Sequence, residues 1–181
     1  MRRMLTLAVL AAFAGTQAFA AGPKLTAENA KIEFTGTKKD GSHNGGFKQV
    51  SGTVELPGDD VTQAVIRVEI VTDSIYTDTN RLTQHLKSPD FFDVRNYPKA
   101  TFVTTKIAPA AGKVDDFTVT GDLTLHGVTK SITFPAKVAL TGKQLTLESA
   151  FTIKRKDFGM TYGEGQVNND VALRVSVKAA R

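Results

Sequence analysis

The sequence predicts an all-β fold, a single eight-stranded antiparallel barrel with a short helical insert between its third and fourth strands. Three observations carry that reading. Apolar residues recur at every second position from Lys31 onward, turn-forming residues separate the alternating runs, and the alternation stops in one stretch, Thr72 to Pro98. Period-two alternation gives a strand one dry and one wet face.

The elements follow in chain order. Weaker alternation over 30–38 and 46–56 marks the first two strands. Ile66, Val68 and Ile70 then alternate with Arg67 and Glu69. In the insert, Leu82 and Leu86 fall at i and i+4, the spacing of one helix face, and Asp78 or Thr79 can cap that helix. Ser88-Pro89-Asp90 starts a second short turn that carries Phe91 and Phe92, and Pro98 ends the insert. The fourth strand, 100–107, does not reveal which of its faces is inward, so Phe102 stays unassigned. Phe117, Val119, Gly121, Leu123 and Leu125 share one face of the fifth, and Ile132, Phe134, Ala136, Val138 and Leu140 one face of the sixth. Leu145, Leu147, Phe151 and Ile153 face inward on the seventh, and Val171, Leu173, Val175 and Val177 on the last.

Turn chemistry joins these runs. His126-Gly127 and Thr141-Gly142-Lys143 read as tight hairpins, and Asp40-Gly41 opens a polar, glycine-rich loop from Gly41 to Gly46. Short antiparallel connections without a βαβ rhythm exclude a parallel sheet. A closed barrel removes exposed edges, and at about eight strands its interior is either filled or holds one small ligand. An outer-membrane barrel places its apolar residues outside. Here the wet faces carry Arg67, Glu69, Asp122, Lys137, Glu148 and Lys154, so the apolar side is the inside.

The first twenty residues read as a cleaved leader, with Arg2 and Arg3 in front of an apolar run and Ala18-Phe19-Ala20 as the cleavage site. The expected domain is 21–181, exported by the general secretory route to the periplasm. Across 181 residues, 23 Lys and Arg face 18 Asp and Glu, a net charge of +5. The leader takes two arginines with it. The remaining +3 is too weak to argue for nucleic acid. No cysteine is present, which excludes disulfides, a thiolate nucleophile and a Cys-based zinc site. No other apolar run reaches the roughly 18 residues of a membrane helix, so any membrane contact is transient.

No catalytic constellation emerges. His43, His85 and His126 form no metal-ligand motif, and His126, in a hairpin turn, is expected to bond backbone. Asp157-Phe158-Gly159 lacks the other segments of a kinase, Thr141-Gly142-Lys143 lacks the first glycine of a phosphate loop, and no serine stands in G-x-S-x-G. Neither enzyme nor cofactor is expected.

Four segments resemble one family, in order. They are Leu86-Lys-Ser-Pro-Asp-Phe-Phe-Asp-Val-Arg-Asn-Tyr-Pro-Lys-Ala-Thr-Phe-Val103, Thr120-Gly-Asp-Leu-Thr-Leu-His-Gly-Val-Thr-Lys130, Ile153-Lys-Arg-Lys-Asp-Phe-Gly-Met160, and the run from Asp170 to Lys178. Together they resemble the YceI-like polyisoprenoid-binding proteins, whose members are similar to lipocalins. The resemblance implies an eight-stranded barrel holding an isoprenoid chain, such as a polyprenyl or quinone tail, for transport, storage or sequestration. The walls are then expected from Phe34, Phe47, Ile66, Val68, Ile70, Phe117, Val119, Leu123, Ile132, Phe134, Phe151 and Phe158, with Leu86, Phe91 and Phe92 closing an opening. Arg155 and Lys156, where a strand leaves the sheet before a glycine-rich loop, are candidates for meeting a head group; exposed strand-end charge is the plainer reading. A filled barrel serving as a structural or partner-binding module uses the same residue types.

Overall fold

The computed structural model describes residues 22–112 and 114–180, so the expected leader lies outside the described residues. Eleven strands form one antiparallel sheet among these residues: β1 (Lys24–Thr26), β2 (Ala30–Lys38), β3 (Gly41–Phe47), β4 (Val50–Glu55), β5 (Val65–Val71), β6 (Ile75–Thr77), β7 (Lys99–Pro109), β8 (Asp116–Leu125), β9 (Val128–Thr141), β10 (Gln144–Lys154) and β11 (Val167–Ala180). Their order is β1-β4-β5-β7-β8-β9-β10-β11-β2-β3-β6. The count of eight is therefore corrected. β1 and β6, three residues each, are too short to display alternation. The glycine-rich stretch expected as a loop is strand β3, separate from β4.

That strand was illegible for a physical reason. Gly45 and Gly46 supply no alternation signal, yet β3 pairs with β2 on one side and β6 on the other. A Cβ on Gly45 would collide with the Phe34 ring, and one on Gly46 with Tyr76. Their bareness lets two aromatic rings lie against the strand, one on each face.

The sheet curls into a half-barrel with edge strands β1 and β6, instead of closing through an uninterrupted ladder. β3 and β4 stand on opposite flanks of it but are linked by Lys48 and Gln49 alone, so the chain itself draws the flanks together. The Lys48 amide donates to the Ser74 carbonyl and the Gln49 amide to Ser74 Oγ, fastening that link.

Two irregularities shape the interior. β7 shifts register between Thr104 and Lys106, so Ala100, Phe102 and Thr104 face inward before the bulge and Ile107 after it. This extra residue scrambles the parity of 100–107. Pairing of β9 with β10 stops at Glu148↔Lys137. Pro135 has no N–H to donate beyond that point, and its carbonyl accepts a hydrogen bond of 2.6 Å from Ser149 Oγ. The strands splay above it, and the stacked rings of Phe134 and Phe151, 4.2 Å apart, stand there.

α1 (Asn80–Lys87) is the α-helix among the described residues and lies between β6 and β7. Thr79 caps it, its Oγ1 accepting from the Leu82 amide. Leu86 packs with Ile75 and Phe91 in a small cluster that also engages Phe34, Phe47, Leu82 and Phe92. The insert thus lies over the end of the sheet that carries the β2–β3 hairpin and the His126-Gly127 turn, called the upper end below. At the lower end Leu25, Ala30, Val54, Ala136, Leu145 and Ala179 form a solid core.

Candidate functional site

Above that core the curled sheet encloses a cavity of about 350 Å³. Its walls come from alternate positions of nearly every strand, as the pleat requires. Ile66, Val68 and Ile70 of β5, Val119 and Leu123 of β8, and Ile132 and Phe134 of β9 line it. So do Phe34 of β2, Phe47 of β3 and Phe151 of β10. Leu86, Phe91 and Phe92 of the insert form its roof. The structure brings these expected residues together around one space.

Three expected residues do not line it. Phe117 faces inward as the parity requires, but it opens β8 at the lower end and packs on the solid core beneath the cavity. Phe158, 1% exposed, is buried beside Leu125, Ile70, Ala100 and Met160 at the upper end, and its carbonyl accepts from His126 Nδ1 at 3.1 Å. Lys156 points outward and pairs with Glu164. That pairing holds the Glu164 carboxyl below its usual range.

Arg155 is neither an exposed strand-end charge nor a free cation. It is 4% exposed, in the 3-10 turn Arg155–Phe158 that follows β10. Its guanidinium donates to four carbonyls: Nε to Asn168 at 3.0 Å, Nη1 to Met160 at 2.8 Å and Tyr162 at 2.7 Å, and Nη2 to Val167 at 3.0 Å. Burial lowers its pKa, and the nearby Glu164 charge opposes that shift. The fork geometry of a guanidinium suits this task, because one planar group can gather carbonyls from both ends of a loop. The loop so held, Gly159 to Gln166, has positive φ at Gly159, Gly163 and Gly165.

This loop, α1 and the β2–β3 hairpin surround the opening. Lys38 and Tyr162, the latter 46% exposed, line the cavity where it meets solvent. Tyr162, His85 and Phe91 form a three-ring cluster with centroids 4.8–5.3 Å apart, joining the loop to the insert. His43 Nδ1 donates to Asp78 at 3.0 Å, and His85 Nε2 to Asp90 at 2.9 Å. Asn168 Nδ2 donates to Thr37 Oγ1 at 2.8 Å, tying the start of β11 to the hairpin. Among the described residues no carboxylate lines the cavity, and its basic groups, Lys38, His43, His85 and Arg155, gather at this end.

Sequence reasoning missed Phe102, Met160, Tyr162, Lys38, His43 and His85 as lining residues. Phe102 was hidden by the β7 bulge. His85 sits on α1 next to Leu86, and the others come from a loop, a strand end and a glycine-rich strand, where no periodicity reports direction. Among the described residues no cluster of His, Cys, Asp or Glu could hold a metal ion, and no helix is long and apolar enough to cross a membrane.

Comparison with known proteins places this geometry. Protein YceI of Escherichia coli is 34% identical over 143 residues, covering 76% of this chain and 73% of that protein. Protein YceI of Salmonella arizonae is 33% identical over the same length. BcnA of Burkholderia cenocepacia superposes with a TM-score of 0.76 at 28% identity, over 83% of this chain and 96% of that one. A polyisoprenoid binding domain from Saccharophagus degradans shares the fold, with a TM-score of 0.68 at 16% identity over 87% of this chain and 97% of that one. The model of the YceI-like domain matches residues 24–179, nearly every strand that builds the cavity, and the chain belongs to that family.

Proposed function

We propose that this protein binds a long isoprenoid lipid, such as a polyprenyl or isoprenoid-quinone tail, and carries, stores or sequesters it in the periplasm after losing residues 1–20. The observation that supports this reading is the cavity itself: about 350 Å³ walled by aliphatic and aromatic side chains, with polar groups at its opening. A filled structural barrel leaves no such space. Each methylene moved from water to an apolar wall contributes about 0.8 kcal/mol, so a long tail binds without any polar partner. The fold shared with a polyisoprenoid binding domain agrees with this ligand class.

The reading is of a binding protein, not an enzyme. Three of the four basic groups at the opening are committed to other partners: Arg155 to four carbonyls, His43 to Asp78 and His85 to Asp90. A head group therefore meets a rim already organised by internal bonds, and Lys156 is removed from that role by Glu164.

Mass spectrometry of organic extracts from gently purified native protein tests the ligand. A prenyl lipid is the expected finding, and an empty or phospholipid-loaded protein counts against it. N-terminal sequencing of periplasmic material should read Ala21-Gly22-Pro23; a retained Met1 there overturns the export reading.

A further inference from the structure

We propose that the outer face of the sheet carries a second binding site, a trough that takes a neutral oligosaccharide across strands β10, β11, β2, β3 and β6. It is separate from the interior cavity and does not rest on the lipid reading above. The outside of a curled sheet is ordinarily convex, yet this part of it is hollowed. Register shows how. Ala150, Arg174, Glu33, Gly46 and Tyr76 are successive cross-strand partners and form one row of outward positions. Thr152, Ala172, Thr35 and Asn44 form the next row, two residues along each strand, with Asp78 beside Asn44. The small groups at Ala150, Ala172 and Gly46 leave the space between the rows open. Four strand spacings of about 4.8 Å make the trough about 19 Å long. The Tyr76 ring lies across the bare Gly46 and walls one end. The other end runs out over β10, whose pairing with β9 has stopped at Glu148.

Its polar groups are uncommitted, unlike most of those at the cavity opening. Arg174 and Glu33 stand directly opposite each other, but neither forms an ion pair or hydrogen bond among the described residues. The hydroxyls of Tyr76 and Thr152 are equally free there. Thr35 Oγ1 donates to Asn44 Oδ1 at 2.7 Å, which leaves the Asn44 amide N–H groups for a ligand. An anion lying between the rows meets Glu33 and Asp78, and a cation meets Arg174. A hydroxyl donates to a carboxylate and accepts from a guanidinium through one oxygen, so it suits both signs at once. A chain that offers many hydroxyls together with apolar C–H faces fits the charged middle and the alanine floor, and a sugar polymer is such a chain. A six-membered ring with its bridging oxygen advances about 5 Å at bond lengths near 1.5 Å, so the trough spans about four rings.

The test is titration of the folded protein, followed by amide NMR, with three neutral tetrasaccharides: cellotetraose, maltotetraose and N-acetylated chitotetraose. Glucose and the anionic tetragalacturonate serve as comparisons. Expected are shifts over 33–35, 44–46, 150–152 and 172–174 with at least one neutral tetrasaccharide, at a Kd below about 1 mM. Glucose and tetragalacturonate should bind that site at least tenfold more weakly. Arg174→Ala and Glu33→Ala should each weaken the tetrasaccharide about tenfold, and Ala172→Ile, which raises the floor, should abolish its binding. All three positions are exposed, so the melting temperature of each variant should stay close to that of the parent. No shift with any of the three neutral tetrasaccharides at about 10 mM overturns the proposal. So do shifts confined to the cavity opening, tetragalacturonate binding as tightly as the neutral chains, or an affinity unmoved by all three variants.

Discussion

The two ends of the curled sheet obey one pattern and reach opposite results. At the lower end, inward positions are occupied by small and medium side chains, among them Ala30, Val54, Ala136 and Ala179, which interdigitate until Ala179 has no exposed surface. At the upper end the inward positions carry larger groups that stand apart around a space. The difference lies in how the strands approach each other. Pro135 ends the β9–β10 ladder, the β7 bulge turns that strand, and an insert and a loop cover the top where a ladder would have closed it. Alternation decides which residues face inward. Backbone irregularity decides whether they meet.

Substitutions at matched positions should separate the two ends, and the largest effect belongs to the wall shared by both. Val119 is 1% exposed. Placing a carboxylate there with Val119→Asp buries a charge without a partner and should cost several kcal/mol, enough to unfold a marginal domain. Thr118→Asp, on the wet face beside it, should cost about 0.5 kcal/mol or less. Thermal denaturation of the pair checks the assignment of faces; equal losses would refute it.

Next in size is Arg155, which serves the upper end alone. Arg155→Met leaves four carbonyls without their donor and should lower stability by about 3–5 kcal/mol. Hydrogen exchange should quicken over 160–168 before it does at the lower end. Arg155→Lys should rescue little, because a single ammonium cannot reach carbonyls on both sides of the loop. A variant that loses affinity for a lipid while keeping the loop protected would instead place Arg155 in direct contact with a head group.

A smaller effect tests the cavity without removing any group. Gly121 faces inward on β8, and a Cβ there would run into the Phe102 ring. Gly121→Ala should push that ring into the cavity, costing about 1–3 kcal/mol of stability and weakening lipid binding more than the same change at Gly36, which also lines the cavity but where a Cβ meets nothing. Titration of one prenyl alcohol against both variants reads the difference.

Smallest is the acid response of the outer pair. Lys156 holds the Glu164 carboxyl below its ordinary value of 4.5, so this pair stabilises the fold above that pH and the contribution fades as pH falls through the lowered value. Glu164→Gln should lower the melting temperature slightly at neutral pH and flatten its decline below pH 4.5, so that the two proteins converge in acid. An unchanged acid limb would mean that solvent screens the pair completely.

By itself the sequence determined the all-β class, the inward faces of β5, β8, β9, β10 and β11, the two hairpins, and the capped helix of the insert. These are local facts: period-two burial, the φ preferences of glycine, and a threonine before a helical turn are all written within a few neighbouring residues. Gly142 and the pair His126-Gly127, with positive φ, fulfil their turns as expected. The tertiary structure alone decided the rest. Phe117 and Phe34 look alike in sequence, each on an apolar strand face, but one opens β8 above a solid floor and the other stands beside a cavity, because height along a curled sheet depends on register with distant strands. Arg155 and Lys156 are neighbours with the same charge, yet a turn of the backbone buries one among carbonyls and leaves the other on the surface against Glu164. Direction at a strand's end, and the void left where two ladders part, arise from contacts between segments far apart in the chain, and no local pattern encodes them.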